Sequence, residues 1–180
     1  MRRRKLRSTL FLSMRLLCFL GGLTAASRDS DAELLHIQLP EHWELREPER
    51  QGSVLRLQAR EQVQGATLQL LELTAVNTAS APKAIDPNSI RGLAAQLRDA
   101  ALRSAVETKI DLVPLGTLQG YYFVVTDRRQ QRASSADYRQ MVEGVGLYSG
   151  YLINFTLLTD DAGSVDTRQM ISALAQLRIE

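Results

Sequence analysis

Two neighbouring segments in which apolar and polar residues alternate constrain the fold more than any other feature. Residues 53–61, SVLRLQARE, place apolar and polar side chains on opposite sides of an extended chain. Residues 66–76, ATLQLLELTAV, follow after a turn at Gln64-Gly65. A two-residue period is typical of a strand with one buried face. The pair therefore predicts an antiparallel hairpin, and these residues alternate along its first strand: Leu55, Arg56, Leu57, Gln58, Ala59 and Arg60.

The sequence predicts further strands on either side of this hairpin. Residues 34–39 alternate and are ended by Pro40, which cannot donate to a ladder, so they predict the first strand of a three-stranded antiparallel meander. Two later segments predict a hairpin that turns near Ser149-Gly150. Gly144 and Gly146 predict a bulge or bend in its first strand. The predicted strands of the second half are 110–119, 120–127, 137–149 and 151–159.

Two segments carry apolar residues at the three- and four-residue spacing of a helix. The first spans 86–107, with Asp86 as its N-cap. The second spans 164–178 and is capped by Ser164 or Asp166. The predicted buried stripe of the second helix comprises Val165, Ile171, Leu174 and Leu177.

The element order β-β-β-α-β-β-β-β-α predicts an α+β fold, with a central antiparallel sheet of about six or seven strands and two main helices. We expect one face of the sheet to carry both helices. The other face then presents polar side chains to solvent or to a partner. These are His36, Gln38, Arg56, Gln58, Arg60, Asn154 and Thr156.

The N-terminal residues have the three parts of a secretory signal peptide. MRRRKLR is basic, LLCFLGGL is apolar, and TAAS offers small residues for cleavage after Ala25 or Ala26. The apolar part is shorter than the roughly 20 residues that span a bilayer, although an uncleaved anchor stays as the alternative. The expected organisation is a signal peptide at 1–26, a loose leader at 27–33 and one domain at 34–180, exported to the bacterial periplasm or secreted.

Cleavage would change the charge of the protein. The first 26 residues hold six of the 22 basic residues and none of the 20 acidic ones, so the mature chain carries a net charge of −4. Phosphate binding needs a concentrated basic surface, and nucleic acid is therefore not expected as a partner. Cys18 leaves with the signal peptide, so the mature chain has no disulfide and no sulfur metal ligand. No cofactor is expected.

The residues that could carry chemistry do not form a known catalytic or metal-binding pattern. His36 and His42 are six residues apart with Pro40 between them. That spacing differs from the i, i+4 spacing of metal ligands on a helix. The sequence also lacks a G-x-S-x-G nucleophile motif. We therefore expect no metal site and no catalytic residue, and a hydrolase that uses either histidine is the least favoured alternative.

Basic and aromatic side chains are the candidates for binding a partner. DRRQQR at 127–132 is the densest basic stretch of the mature chain and would suit an acidic partner or headgroup, although a solvated hairpin tip explains it as well. GYYF at 120–123 offers rings for stacking, or contributes half of them to the core. The binding residues predicted on this basis are Arg56, Arg60, Tyr122, Arg128 and Arg129.

Several segments together resemble the PsbP-like fold family, which takes its name from the extrinsic photosystem II protein. They are IQLPEHW, LRLQ, TLQLLEL, LVPLGTLQGYYFVV, GYLINFTLLT and MISALAQLR, and they extend over about 33–180. The resemblance implies an α-β-α sandwich around a central antiparallel sheet, and a non-enzymatic module that works by binding. It also implies that LHIQLP is the first strand, that the chain leaves the sheet at 41–43, and that Trp43 covers one end of the core.

The expected function is that of an exported interaction module, which binds another envelope protein or a peptide on the exposed sheet face. The alternative is a carrier or chaperone for a small apolar or lipid-like ligand, or for an apolar segment. A carrier needs a cavity between sheet and helix. Such a cavity would be lined by residues such as Leu97, Tyr121, Phe123 and Phe155.

Overall fold

The two alternating segments of the sequence form the longest strands of the described part of the protein, Val54–Val63 and Ala66–Asn77. The computed structural model describes residues 35–63, 66–80, 86, 88–116, 118–128 and 138–179. The predicted signal peptide at 1–26, with its cleavage positions Ala25 and Ala26, and the leader at 27–33 lie outside these residues.

The described strands and helices follow one another in an order close to the predicted one. In chain order they are β1 (Leu35–His36), β2 (Trp43–Leu45), β3 (Glu49–Gln51), β4 (Val54–Val63), β5 (Ala66–Asn77), α1 (Ser89–Leu102), β6 (Val113–Pro114), β7 (Gln119–Thr126), β8 (Gln140–Tyr148), β9 (Tyr151–Thr159), α2 (Val165–Ala175) and β10 (Arg178–Ile179). A short 3-10 turn at Thr78–Ser80 follows β5.

All pairs of these strands are antiparallel. The large sheet has eight strands, in the order β2-β4-β5-β9-β8-β7-β6, with β3 also paired to β4. β1 and β10 form a separate two-stranded sheet. The predicted α+β fold with a central antiparallel sheet is therefore confirmed, and the sheet is one strand larger than the upper end of the prediction.

The two helices pack on opposite faces of the large sheet, so the prediction of both on one face is wrong. The core under α2, here called the α2-side core, combines Met170 and Leu174 of the helix with Leu55, Leu57, Leu71, Leu73, Ile153, Phe155 and Leu157 of the sheet. The core under α1, the α1-side core, combines Ile90, Ala94, Leu97 and Ala101 of the helix with Phe123, Val125 and Val145 of the sheet.

The sequence of β7 explains this layering. Phe123 points into the α1-side core, whereas its neighbour Val124 packs against the α2-side core. Because β7 is apolar on both faces, each face must be covered by another element to keep these side chains from water. The result is the α-β-α arrangement that the resemblance implied.

The first described segment pairs differently from the prediction. β1 joins β10, with His36 opposite Arg178, and does not extend the β4–β5 hairpin. The chain turns at His42, which has a φ of 68°, and then enters the large sheet at β2, where Trp43 lies opposite Glu61. The chain therefore does not leave the sheet at 41–43. Trp43, predicted to cover one end of the core, is 8% exposed and belongs to the α2-side core.

In the second half, most predicted strands form, with one exception. The predicted strand at 110–119 is reduced to the two residues of β6. The predicted hairpin turn is confirmed, because Ser149 and Gly150 connect β8 and β9 with φ values of 46° and 80°. Two consecutive residues with positive φ are typical of the tight turn that matches the twist of a hairpin.

No bulge occurs at Gly144 or Gly146, the two residues predicted to mark a bulge or bend. The register between β8 and both of its neighbours runs without a shift through these residues. The register shift that the structure does describe lies between Glu61 and Gln62 of β4. Gly144 instead lies opposite Phe155 of β9, whose ring fills the space above the glycine.

α1 forms where predicted but is shorter at both ends. Its N-cap position is occupied by Asn88 and not by Asp86, whose Oδ1 accepts a hydrogen bond from the Asn88 amide at 2.9 Å. The helix ends at Leu102, and the next amides, at 103–105, donate to carbonyls three residues back before the chain reaches the end of β7. The amide of Val106 donates to the carbonyl of Thr126 at 2.9 Å.

α2 begins at the predicted cap. The Ser164 Oγ accepts a hydrogen bond from the Thr167 amide at 3.1 Å. Val165, predicted to be buried, is 57% exposed, and the side chains that α2 buries are Thr167, Met170, Ala173 and Leu174. Among the described residues, no helix is both long and apolar enough to cross a membrane.

Replacing Ser164 with alanine should destabilise the protein by about 1 kcal/mol, because the Thr167 amide loses its acceptor. The free energy of unfolding from urea titration checks this. The matched control is Ser172→Ala, at an exposed position in the middle of α2 where alanine favours the helix. Equal stability of the two variants would contradict the role of the cap.

Candidate functional site: the open sheet face

One part of the large sheet carries a face that neither helix packs against closely. α2 lies on the opposite face, and α1 packs mainly on β7 and β8. In the middle of β4, β5 and β9 the side chains of this face are polar and at least partly exposed. Nearer the strand ends the same face is apolar, with Val76, Leu158, the 3% exposed Leu70 and Leu152, which packs against the α1-side core. We call this surface the open sheet face, and define it by Arg56, Gln58, Arg60, Glu72, Thr74, Asn154 and Thr156.

A row of polar residues crosses the open sheet face at right angles to the strands. Gln58 of β4 lies opposite Glu72 of β5, which lies opposite Thr156 of β9, which lies opposite Glu143 of β8. The Gln58 Nε2 donates to the Glu72 Oε1 at 3.1 Å. We call these four residues the polar row. Antiparallel alternation places all four side chains on the same face of the sheet.

Glu143 lies at the inner end of the polar row and is 5% exposed. Phe123 lies opposite it on β7, and Met141 and Val145 flank it along β8, all three packed in or against the α1-side core. Within the described part of the chain, its carboxyl forms no hydrogen bond and no ion pair. Loss of hydration on burial raises the pKa of Glu143 to about 7.

A carboxyl with this pKa can take two roles near neutral pH. In its protonated form it donates one hydrogen bond and accepts others, and in its ionised form it only accepts. A shifted acid that sits beside a concave or open surface is a typical sign of a binding or reactive site. The arrangement can therefore recognise either a hydrogen-bonding group or a cation above the sheet.

Arg56 and Arg60 lie on the open sheet face on either side of Gln58. The Arg60 Nη2 donates to the Gln58 Oε1 at 3.3 Å. Each arginine lies opposite a glutamate of an outer strand, Glu49 for Arg56 and Glu44 for Arg60. Neither arginine forms an ion pair within the described residues, so both guanidinium groups keep N–H donors for a ligand.

The other predicted binding residues do not join this site. Tyr122 lies on the opposite face of β7 and packs against the α2-side core. Arg128 is used within the fold, since its Nη2 donates to the carbonyl of Ala105 at 2.7 Å. Arg129 lies outside the described residues. The structure thus brings together two of the five predicted residues, Arg56 and Arg60.

Two of the predicted face residues also lie elsewhere. His36 is in the two-stranded sheet and Gln38 follows it, and both line a shallow groove of about 590 Å³ beside Tyr148 and Leu177. The remaining five predicted residues do share the open sheet face. The prediction of that face is therefore correct for β4 and β9 and wrong for the segment around β1.

The cavity predicted for a carrier does not form from its predicted lining. Phe155 belongs to the α2-side core, whereas Leu97, Tyr121 and Phe123 belong to or pack against the α1-side core. The sheet lies between these two cores. Those four side chains therefore cannot line one cavity.

A second group of buried polar residues lies on the other face, near the start of α2. Glu61 is 3% exposed, and its pKa is raised by burial and by the charge of Asp166, against the opposing effects of a Gln69 hydrogen bond and of His42. The Thr167 Oγ1 donates to the Gln69 Oε1 at 3.0 Å. The Glu61 Oε2 and the Trp43 Nε1 are buried without a partner among the described residues.

This second group has the character of a structural anchor for α2. The Thr167 Oγ1 lies 3.0 Å from both the Gln69 Oε1 in the sheet and the Asp161 carbonyl in the preceding loop, and its single hydroxyl proton can be donated to either. His42 affects Glu61 through its charge, and no hydrogen bond joins the two among the described residues. Nor do the described residues contain a group of three or more His, Cys, Asp or Glu side chains that could hold a metal ion.

The comparisons with known proteins support the fold and carry no function. No family model matches the chain, and no curated protein matches it. The chain is similar in structure to a crystal structure of a protein from Bacteroides thetaiotaomicron, with a TM-score of 0.50 and 12% sequence identity. The similarity covers 81% of this chain and 45% of that one, so the chain spans less than half of that protein's length.

Proposed function

We propose that the protein is an exported, non-enzymatic binding module of the bacterial envelope, with a PsbP-like domain that binds a peptide or another envelope protein on its open sheet face. The observation that carries this proposal is the polar row, which ends at the buried carboxyl of Glu143. A buried polar group without a partner costs folding free energy. A ligand that bonds along the row would give the largely desolvated Glu143 carboxyl a hydrogen-bond partner, and this gives the position of Glu143 a functional reason.

The two arginines beside the row support a polar partner over an apolar one. Arg56 and Arg60 offer planar N–H groups that match a carboxylate or a peptide carbonyl. Gln58 between them can both donate to and accept from a peptide backbone. A lipid-like ligand would leave these groups without hydrogen bonds, and the carrier function therefore has less support than the binding of a peptide or protein.

The export part of the proposal rests on the N-terminal sequence. The basic, apolar and small segments of 1–26 follow the order that export machinery recognises. Cleavage after Ala25 or Ala26 would release the domain into the periplasm. An uncleaved apolar segment would instead anchor the exported domain to the membrane.

Changing Arg56 and Arg60 together to serine should weaken binding at least tenfold, because the ligand would lose two charge-assisted contacts. The measurement is photo-crosslinking in the host's own envelope, from a crosslinking amino acid placed at Asn154 on the open sheet face. The unmodified protein should give a crosslinked product, and the double serine variant should give much less of it.

A matched control separates the site from the loss of charge. Arg103 and Lys109 are exposed residues beyond the C-terminus of α1, and changing both to serine removes the same two charges. This control should leave the crosslink from Asn154 unchanged. An equal loss in both double variants would mean that net charge, and not the open sheet face, determines binding.

A further inference from the structure

We propose that the open sheet face binds a short peptide with free termini, whose N-terminal ammonium lies above Thr156 between Glu72 and Glu143 and whose C-terminal carboxylate is held by Arg56 and Arg60. This inference rests on the proposed function and names the class of ligand for the same site.

The position of the ammonium follows from the register of three strands. Thr156 lies between Glu72 and Glu143 in the polar row, and its side chain is much shorter than theirs. Two strand spacings separate the glutamate backbones, about 10 Å, so the short Thr156 side chain lies between two longer ones. An ammonium has three N–H donors. The hydroxyl and the two carboxyls supply an oxygen acceptor for each of them.

The burial of Glu143 is the independent observation that points to a ligand here. The side chain is 5% exposed, has no hydrogen bond to any described residue, and lies on the face of the sheet that carries the polar row. Loss of hydration on burial raises the pKa of Glu143 to about 7. A cation above Thr156 would favour the ionised carboxyl and restore the partner that burial removed. A neutral or anionic group would not do so equally well.

The position of the C-terminal carboxylate follows from the two arginines, which lie on the other side of the open sheet face from Glu143. Arg56 and Arg60 lie on β4, two strands away from Thr156, which corresponds to about 10 Å. An extended tripeptide covers about the same length, at roughly 3.3–3.6 Å for each residue. Its carboxylate would therefore reach the arginines while its ammonium lies above Thr156. Gln58, between the arginines, is placed to bond with the peptide backbone.

The test compares two tripeptides, Ala-Ala-Ala with free termini and its N-acetylated form, titrated into the protein purified from the host envelope. Calorimetry should detect binding of the free tripeptide, and acetylation should weaken that binding at least tenfold. Glu143→Gln should weaken binding of the free tripeptide at least tenfold and leave binding of the acetylated form unchanged. The control Glu41→Gln, at an exposed position before β2, should have no effect.

Two results would overturn the inference. Equal binding of the free and acetylated tripeptides would show that the site does not recognise an ammonium. If neither tripeptide binds while the crosslink from Asn154 still forms and still depends on Arg56 and Arg60, the ligand is not a short peptide, although the open sheet face binds a partner. If the crosslink from Asn154 no longer depends on Arg56 and Arg60, the proposed function itself is wrong.

Discussion

Replacing Glu143 with glutamine should make the protein more stable than the unmodified chain at pH 7.5, while the two should have similar stabilities at pH 4.5. The pKa of Glu143 is raised from 4.5 to about 7 in the folded protein. The unfolded chain therefore releases this proton near pH 4.5, while the folded chain still holds it. Between these values folding takes up a proton, so the stability of the unmodified protein falls as the pH rises.

The size of the effect follows from the shift in pKa. A pKa difference of one between the folded and unfolded protein corresponds to about 1.4 kcal/mol of unfolding free energy. Between pH 4.5 and 7.5, the unmodified protein should therefore lose about 3 kcal/mol of stability relative to Glu143→Gln. Glutamine has the same shape and does not titrate in this range. Glu61, whose pKa is raised, and Glu107, whose pKa is lowered, are present in both proteins, so their contributions cancel in the comparison.

Urea titrations of both proteins at several pH values measure this difference. Glu41→Gln, at an exposed position, serves as the control and should follow the unmodified protein. If the stabilities of Glu143→Gln and the unmodified protein run parallel across the range, the carboxyl titrates normally and is not the buried group described above.

The same substitution separates folding from binding. Glu143→Gln should raise stability at neutral pH and weaken binding of a ligand with a free amine. A residue retained only for packing would not show these opposite effects, because a better-folded protein would bind at least as well. A buried acid that costs stability and supports recognition is a common form of the trade-off between stability and function.

The alternation of residues predicted the faces of strands well and their partners less well. In β4, the period of two placed Arg56, Gln58 and Arg60 on one face, and the structure confirms it. The same period at 34–39 carried no information on which strand would pair with that segment. Its partner, β10, lies at the other end of the chain, and only two residues of each form the ladder. A pair of this kind depends on contacts between distant segments, which a local pattern does not record.

Glu143 could not be identified as a site residue from the sequence alone, although a signal was present. In QMVEGVGLY, Met141, Glu143 and Val145 share one face of a strand, so an acid interrupts an apolar stripe. Its meaning depends on the neighbouring strands, because a hydroxyl on one side and a phenyl ring on the other determine both its burial and its access to the open sheet face. Tyr122 was misplaced for a related reason, since β7 is apolar on both faces.

Replacing Gly144 with alanine should destabilise the protein by about 1–3 kcal/mol, as expected for an added methyl group in a packed core. A methyl group here would overlap the ring of Phe155 and lie 3.0 Å from the Cβ of Tyr122. The ring cannot move aside easily, because Phe155 is 2% exposed within the α2-side core. The close fit of glycine and ring therefore explains Gly144 better than the bulge predicted from the sequence.

The same substitution at Gly92 supplies the control, with the opposite expected sign. Gly92 is exposed within α1, and an added Cβ would meet no atom within 4 Å. Alanine should therefore stabilise the helix by up to about 1 kcal/mol. Urea titrations of the two variants should move the unfolding midpoint in opposite directions. A stable Gly144→Ala variant would mean that Phe155 can adopt another position, and that the α2-side core under β8 is less tightly packed than described.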